Sequence, residues 1–147
     1  MLQRQPVPPT EPTEETQPRG GDETILLVED DPSVRRLSRR LLESFGYQVH
    51  EAGSSREALE QWNSRVSEID LLLTDIVTPG GVDGRQLAEQ MAAQKPGLKI
   101  ILTTGYSGDV IGQETCFLQK RKRRLLQKPC PPRELLHAVR ECLDQQW

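Results

Sequence analysis

Ile25-Leu26-Leu27-Val28-Glu29-Asp30-Asp31-Pro32 decides how this chain is read. Four apolar residues, β-branched at both ends, make a run of the length and kind that a strand buried on both faces requires. Three carboxylates follow at once, then a proline suited to the first position of a helix. The same succession recurs down the chain. Leu71-Leu72-Leu73-Thr74 runs into Asp75, Ile100-Ile101-Leu102 into Thr103-Thr104-Gly105, and Leu125-Leu126-Gln127 into Lys128-Pro129. In a parallel sheet all strands point the same way, so these residues gather at the carboxyl edge, where open α/β sheets build their sites.

Helical patterns alternate with these runs. Residues 32–45 carry Val34, Leu37, Leu41, Leu42 and Phe45 on one stripe, with Asp31 as N-cap and Gly46 as the stop. Residues 47–51 read as a short strand. Ser54 and Glu57 have capping-box spacing ahead of a helix that presents Ala58, Leu59 and Trp62. Residues 69–74 form a continuous apolar strand, and 84–93 a helix with Leu87, Ala88 and Met91 inward, ended by Pro96. Residues 99–103 give a fourth strand, 109–118 a weak helix, and 125–127 a fifth strand. Residues 132–143 set Leu135, Leu136, Val139, Cys142 and Leu143 on one face. The expected fold class is therefore α/β: a doubly wound five-stranded parallel sheet flanked by five helices. Periodicity alone does not order the strands.

Bulk properties narrow the function. The chain has 147 residues, room for one domain with a real core, and a net charge of -3, which disfavours nucleic acid as the main partner. No apolar run approaches the roughly 20 residues of a membrane span, and the N-terminus lacks a signal-peptide core. Cys116, Cys130 and Cys142 show no CxxC spacing and read as reduced thiols of a cytoplasmic protein. Residues 1–22 hold Pro6, Pro8, Pro9, Pro12 and Pro18 among Thr, Glu and Gln, a composition with little to bury; they are expected to form a disordered tail ahead of a domain at 23–147.

The gathered side chains suit a divalent metal and a phosphoryl group. Three carboxylates within about 5 Å repel by on the order of 3 kcal/mol per pair at an effective dielectric near 20. Either one acid stays protonated or a hard cation sits among them; Mg²⁺ takes one or two carboxylates, several waters and phosphate oxygens. Asp31 is taken up as a helix cap, which favours Glu29 and Asp30 as the metal pair, with Asp75 opposite. Asp75 ends the most apolar strand, rigidly held yet open to solvent, as an attacking carboxylate should be. Thr104 precedes Gly105, so its hydroxyl can face a phosphoryl group. Lys128, stiffened by Pro129, can place its ammonium over the same edge.

Together, LLVEDD, LLLTDIVTPGG around Asp75, LTTGYS at 102–107 and LLQKP at 125–129 resemble the receiver domain of bacterial two-component response regulators. The resemblance covers residues 24–144, and it is nearest to receivers at the C-terminal ends of hybrid sensor histidine kinases. It implies a flavodoxin-like fold, a phosphoacceptor at Asp75, a hydroxyl switch at Thr104 and a phosphoryl-binding lysine at Lys128. It also implies Mg²⁺ on Glu29, Asp30, Asp75 and the backbone carbonyl of Val77. Val77 and Tyr106 would flank the phosphoryl group and slow attacking water. The implied donor is a sensor histidine kinase or a histidine phosphotransfer domain, with an unknown output protein, no direct DNA binding and no membrane. Such a domain is a signalling phosphoacceptor, with self-catalysed transfer and dephosphorylation as its only chemistry.

The chain departs from the family pattern at four places. Leu125 stands where an aromatic switch residue is frequent, Thr78 where methionine is usual, and Cys130 where phenylalanine is usual. The run Lys120-Arg121-Lys122-Arg123-Arg124 replaces a glycine-containing turn. These departures keep a rival alive: a pseudo-receiver of the same fold that binds partners without phosphorylation. A flavin carrier is disfavoured, since Glu29-Asp30-Asp31 would repel its phosphate.

Overall fold

The computed structural model describes residues 20–76, 83–104, 123–127 and 131–144. Chain order is β1 (Thr24–Val28), α1 (Pro32–Ser44), β2 (Gln48–Ala52), α2 (Ser55–Arg65), β3 (Leu71–Asp75), α3 (Gly84–Gln94), β4 (Lys99–Thr104), β5 (Arg123–Gln127) and α4 (Pro132–Asp144). The five strands form one parallel sheet in the order β2-β1-β3-β4-β5. This is the expected doubly wound α/β sheet, with four helices among the described residues; the helix expected at 109–118 lies outside them.

The strand order reverses between β1 and β3. From β1 the chain crosses to β2 on one side, and β3 then returns to the other flank of β1. The carboxyl ends of β1 and β3 are thus neighbours at the switch point, where connections leave in opposite directions and a crevice opens.

Two apolar layers clothe the sheet. On one face Leu26, Val28, Leu72, Ile100 and Leu102 pack with Ala58 and Trp62 of α2 and Leu87, Ala88 and Met91 of α3. On the other, Ile25, Leu27, Leu71, Leu73 and Ile101 pack with Leu42 of α1 and Leu135, Leu136, Ala138, Val139 and Cys142 of α4. Successive strand residues point to opposite faces, so the unbroken apolar runs of β1 and β3 serve both layers. Trp62 is fully buried and its Nε1 donates to Gln94 Oε1 at 2.8 Å, joining α2 to α3. Burial pushes the Cys142 thiol up to about 11, an inert core sulfur; Cys116 and Cys130 lie outside the described residues.

The helix ends follow local chemistry. Asp31 caps α1, its Oδ1 accepting from Ser33 N and Val34 N, with Pro32 next in the chain. Gly46 leaves the helix at φ 99°, a left-handed conformation costly for other residues.

Several local expectations need correction. Ser54 Oγ accepts from Glu57 N, but Glu57 Oε1 accepts from Gly53 N at 2.6 Å, so the reciprocal bond reaches one residue further back. A complete capping box sits instead at Asp83 and Gln86. Strand β5 begins at Arg123, two residues before its apolar run, because the backbone ladder to Ile100 and Ile101 does not depend on side-chain polarity. Arg124 pairs with Glu141 of α4. Finally, the apolar stripe of α1 is buried only toward its C-terminal end: Leu42 is buried, whereas Val34 is 37% and Leu37 70% exposed.

Candidate functional site

Glu29 follows β1 directly and Asp75 ends β3, so neighbouring strands deliver both carboxylates to one crevice. Glu29 is 5% and Asp75 7% exposed, while Asp30 lies open to solvent. One carboxylate oxygen from each of Glu29, Asp30 and Asp75 lies within 4.8 Å of the others. At that spacing each pair repels by about 3 kcal/mol at an effective dielectric near 20, and a divalent cation reverses the sign of the interaction.

Local hydrogen bonds fix the acidic loop. Glu29 Oε2 accepts from Asp31 N at 3.2 Å, and Glu29 N donates to Ala52 O at 3.0 Å, extending the ladder one step past β1. Arg35 of α1 donates through Nη1 to Glu29 O at 2.7 Å and through Nε to Glu51 on β2. Asp31 is spent on its helix cap, as its position before Pro32 indicated, and the cluster is made by its two predecessors and Asp75.

Sequence reasoning missed two residues here. Thr103, the partner of Asp75 in the β3–β4 ladder, donates its Oγ1–H to Asp75 Oδ1. Ile76 N donates to Thr103 O at 2.9 Å and locks that register. Nothing in a β-branched strand residue announces such a contact; it follows from which strands become neighbours. Gly84 is the second. A Cβ there would lie 1.9 Å from Asp75 O and 3.0 Å from Ile76 Cα, and Gly84 N donates to Ile76 O at 2.5 Å. The first turn of α3 therefore rests directly on the backbone that carries Asp75. A glycine straight after an N-cap aspartate was the available signal.

Thr104 ends β4, is 7% exposed and pairs in register with Gln127, the last residue of β5. The ends of β4 and β5 thus lie on the rim that holds the acidic cluster. Lys128 and Val77 lie outside the described residues, as do Thr78, Tyr106 and Cys130.

Residues 25–140 match the family model of the response regulator receiver domain. The chain belongs to this family. Among curated relatives, the receiver is 36% identical over 126 residues to the sensor kinase CckA of Brucella abortus, covering 86% of this chain and 13% of that protein. It is 34% identical over 119 residues to the response regulator receiver protein CpdR of the same organism, covering 81% of this chain and 95% of the other. Among solved structures, the response regulator protein TrrA of Thermotoga maritima, in complex with Mg²⁺ and BeF, is 30% identical with a TM-score of 0.70, covering 82% of this chain and 99% of that one. The chain thus covers nearly the whole of CpdR and spans about an eighth of the length of CckA. Among the described residues, no receiver helix is long and apolar enough to cross a membrane.

Proposed function

We propose that this receiver accepts a phosphoryl group on Asp75 from a phosphohistidine donor, with Mg²⁺ held by Glu29, Asp30 and Asp75. The observation that carries this reading is the meeting of those three carboxylates at the switch point of the sheet, in a chain of the receiver family. Their donor set is hard oxygen throughout, the set that Mg²⁺ takes together with water and phosphate. The carbonyl of Val77 would join it. When bound, the ion offsets the negative charge that builds as phosphate nears the carboxylates.

The chain's own residues do the rest by position. An Asp75 oxygen forms the new O–P bond as the donor's P–N bond breaks, and the imidazole leaves with the electron pair. Gly84 and the β3–β4 ladder hold the Asp75 backbone still while this happens, and positioning of this kind carries much of phosphoryl transfer. Lys128 would pair with one phosphoryl oxygen and the Thr104 hydroxyl would donate to another, drawing the end of β4 toward the site. The donor is a sensor histidine kinase or a phosphotransfer domain in the cytoplasm. It docks over Val34 and Leu37, the exposed apolar side chains of the helix that starts beside Asp30.

Incubation with acetyl phosphate and Mg²⁺ tests the reading. The wild type is expected to take up one acid-stable, hydroxylamine-sensitive phosphoryl group, and Asp75→Asn none, with its fold intact by circular dichroism. A wild-type chain that neither labels nor binds beryllofluoride in the presence of Mg²⁺ would be a pseudo-receiver.

A further inference from the structure

The hydroxyl of Thr103 is aimed at the reacting group and is not used in the scheme above. It is 9% exposed, sits beside Asp75 in the ladder, and donates to Asp75 Oδ1. Its backbone carbonyl is simultaneously fixed by Ile76 N, so the donor cannot drift along the strand. We infer that Thr103 sets the lifetime of the phosphorylated state by stabilising the Asp75 carboxylate as a leaving group. The inference rests on Asp75 being the phosphoacceptor.

The chemistry has a definite sign. In hydrolysis a water oxygen forms a bond to phosphorus, the Asp75 O–P bond breaks, and the carboxylate leaves with the electron pair; the water's proton passes to the released phosphate. Hydrogen bonds to ionised acceptors are about twice as strong as those to neutral ones. A donor on this carboxyl therefore favours the free carboxylate over the neutral acyl group and lowers the barrier to release. The Thr104 hydroxyl, assigned to the phosphoryl oxygens, would instead favour the phosphorylated state. Two adjacent threonines thus pull the same equilibrium in opposite directions.

Thr103→Val keeps the shape and removes the donor; Thr103→Ser keeps the donor. Each is labelled with acetyl phosphate and Mg²⁺, freed of excess reagent, and followed as the acyl phosphate decays. The expected result is a half-life three- to tenfold longer in Thr103→Val and close to wild type in Thr103→Ser, with all three alike once denatured. A merely structural role would shorten the half-life or lower labelling. An unchanged or shortened half-life in Thr103→Val overturns this inference and leaves the phosphoacceptor reading standing; a folded Thr103→Val that cannot be labelled does the same. Absence of label on the wild type overturns both. If Thr103→Val does not fold, Thr103→Ala supplies the same comparison.

Discussion

Gly84 shows how one missing methyl group can govern the placing of a carboxylate, that of Asp75, nine positions away. A side chain at that position would run into the carbonyl of Asp75, so either α3 lifts away or the end of β3 bends. Overpacking of this kind costs about 1–3 kcal/mol, and a misplacement near 1 Å can cost on the order of 100-fold in rate. Gly84→Ala is therefore expected to lower acetyl phosphate labelling by roughly 10- to 100-fold while the chain still folds. Labelling at the wild-type rate would show that α3 does not hold Asp75. Asp31 supplies the complementary case. Its carboxylate caps α1, so Asp31→Ala should remove about 1 kcal/mol of stability to urea yet leave labelling in place. Loss of labelling would make Asp31 part of the acidic site after all.

Among the elements, α1 is the one whose surface does not match its pattern. Its apolar stripe predicts burial from end to end, but the helix meets the sheet through Leu41, Leu42 and Phe45 and leaves Val34 and Leu37 outside. Leu37→Glu should slow transfer from a histidine kinase roughly tenfold, the loss of a single interface anchor, and leave acetyl phosphate labelling unchanged. Equal rates from the kinase would remove α1 as the docking helix. The stripe also shows why some of the fold was legible and some was not. Runs such as Leu71-Leu72-Leu73 announce buried strands because both sheet faces are covered, and Asp31-Pro32 announces a helix start by local chemistry. Arg123 and Arg124 hid the beginning of β5 because an edge strand can carry charge, which also discourages pairing with other chains. The acidic cluster could be anticipated from strand ends pointing one way. Thr103 could not, since its contact depends on the register of β3 with β4, and Gly84 was marked only by its place after the Asp83 cap, which does not tell the height at which α3 lands.

Across the molecule, the first and last described elements are tied by one ion pair. Arg140 of α4 donates to both oxygens of Glu23, just ahead of β1, and also to Gly20 O and Tyr47 Oη. The Arg140 hydrogen bonds hold the Glu23 carboxyl below its ordinary value of 4.5. A lowered folded-state value means stability that is present above the unfolded value and is lost as pH falls through the folded one. Glu23→Gln should therefore cost about 1 kcal/mol at neutral pH, with the gap to wild type closing on acidification below about 4.5. A gap independent of pH would assign the loss to packing instead.

The two apolar layers lie back to back on one sheet, and each holds its own aromatic ring: the Trp62 indole in one, the Tyr47 phenol in the other. With Trp147 and Tyr106 changed to phenylalanine, either half of the molecule can thus be watched by its own light. If the indole reddens before the phenol is freed, the sheet is shedding one coat while still wearing the other.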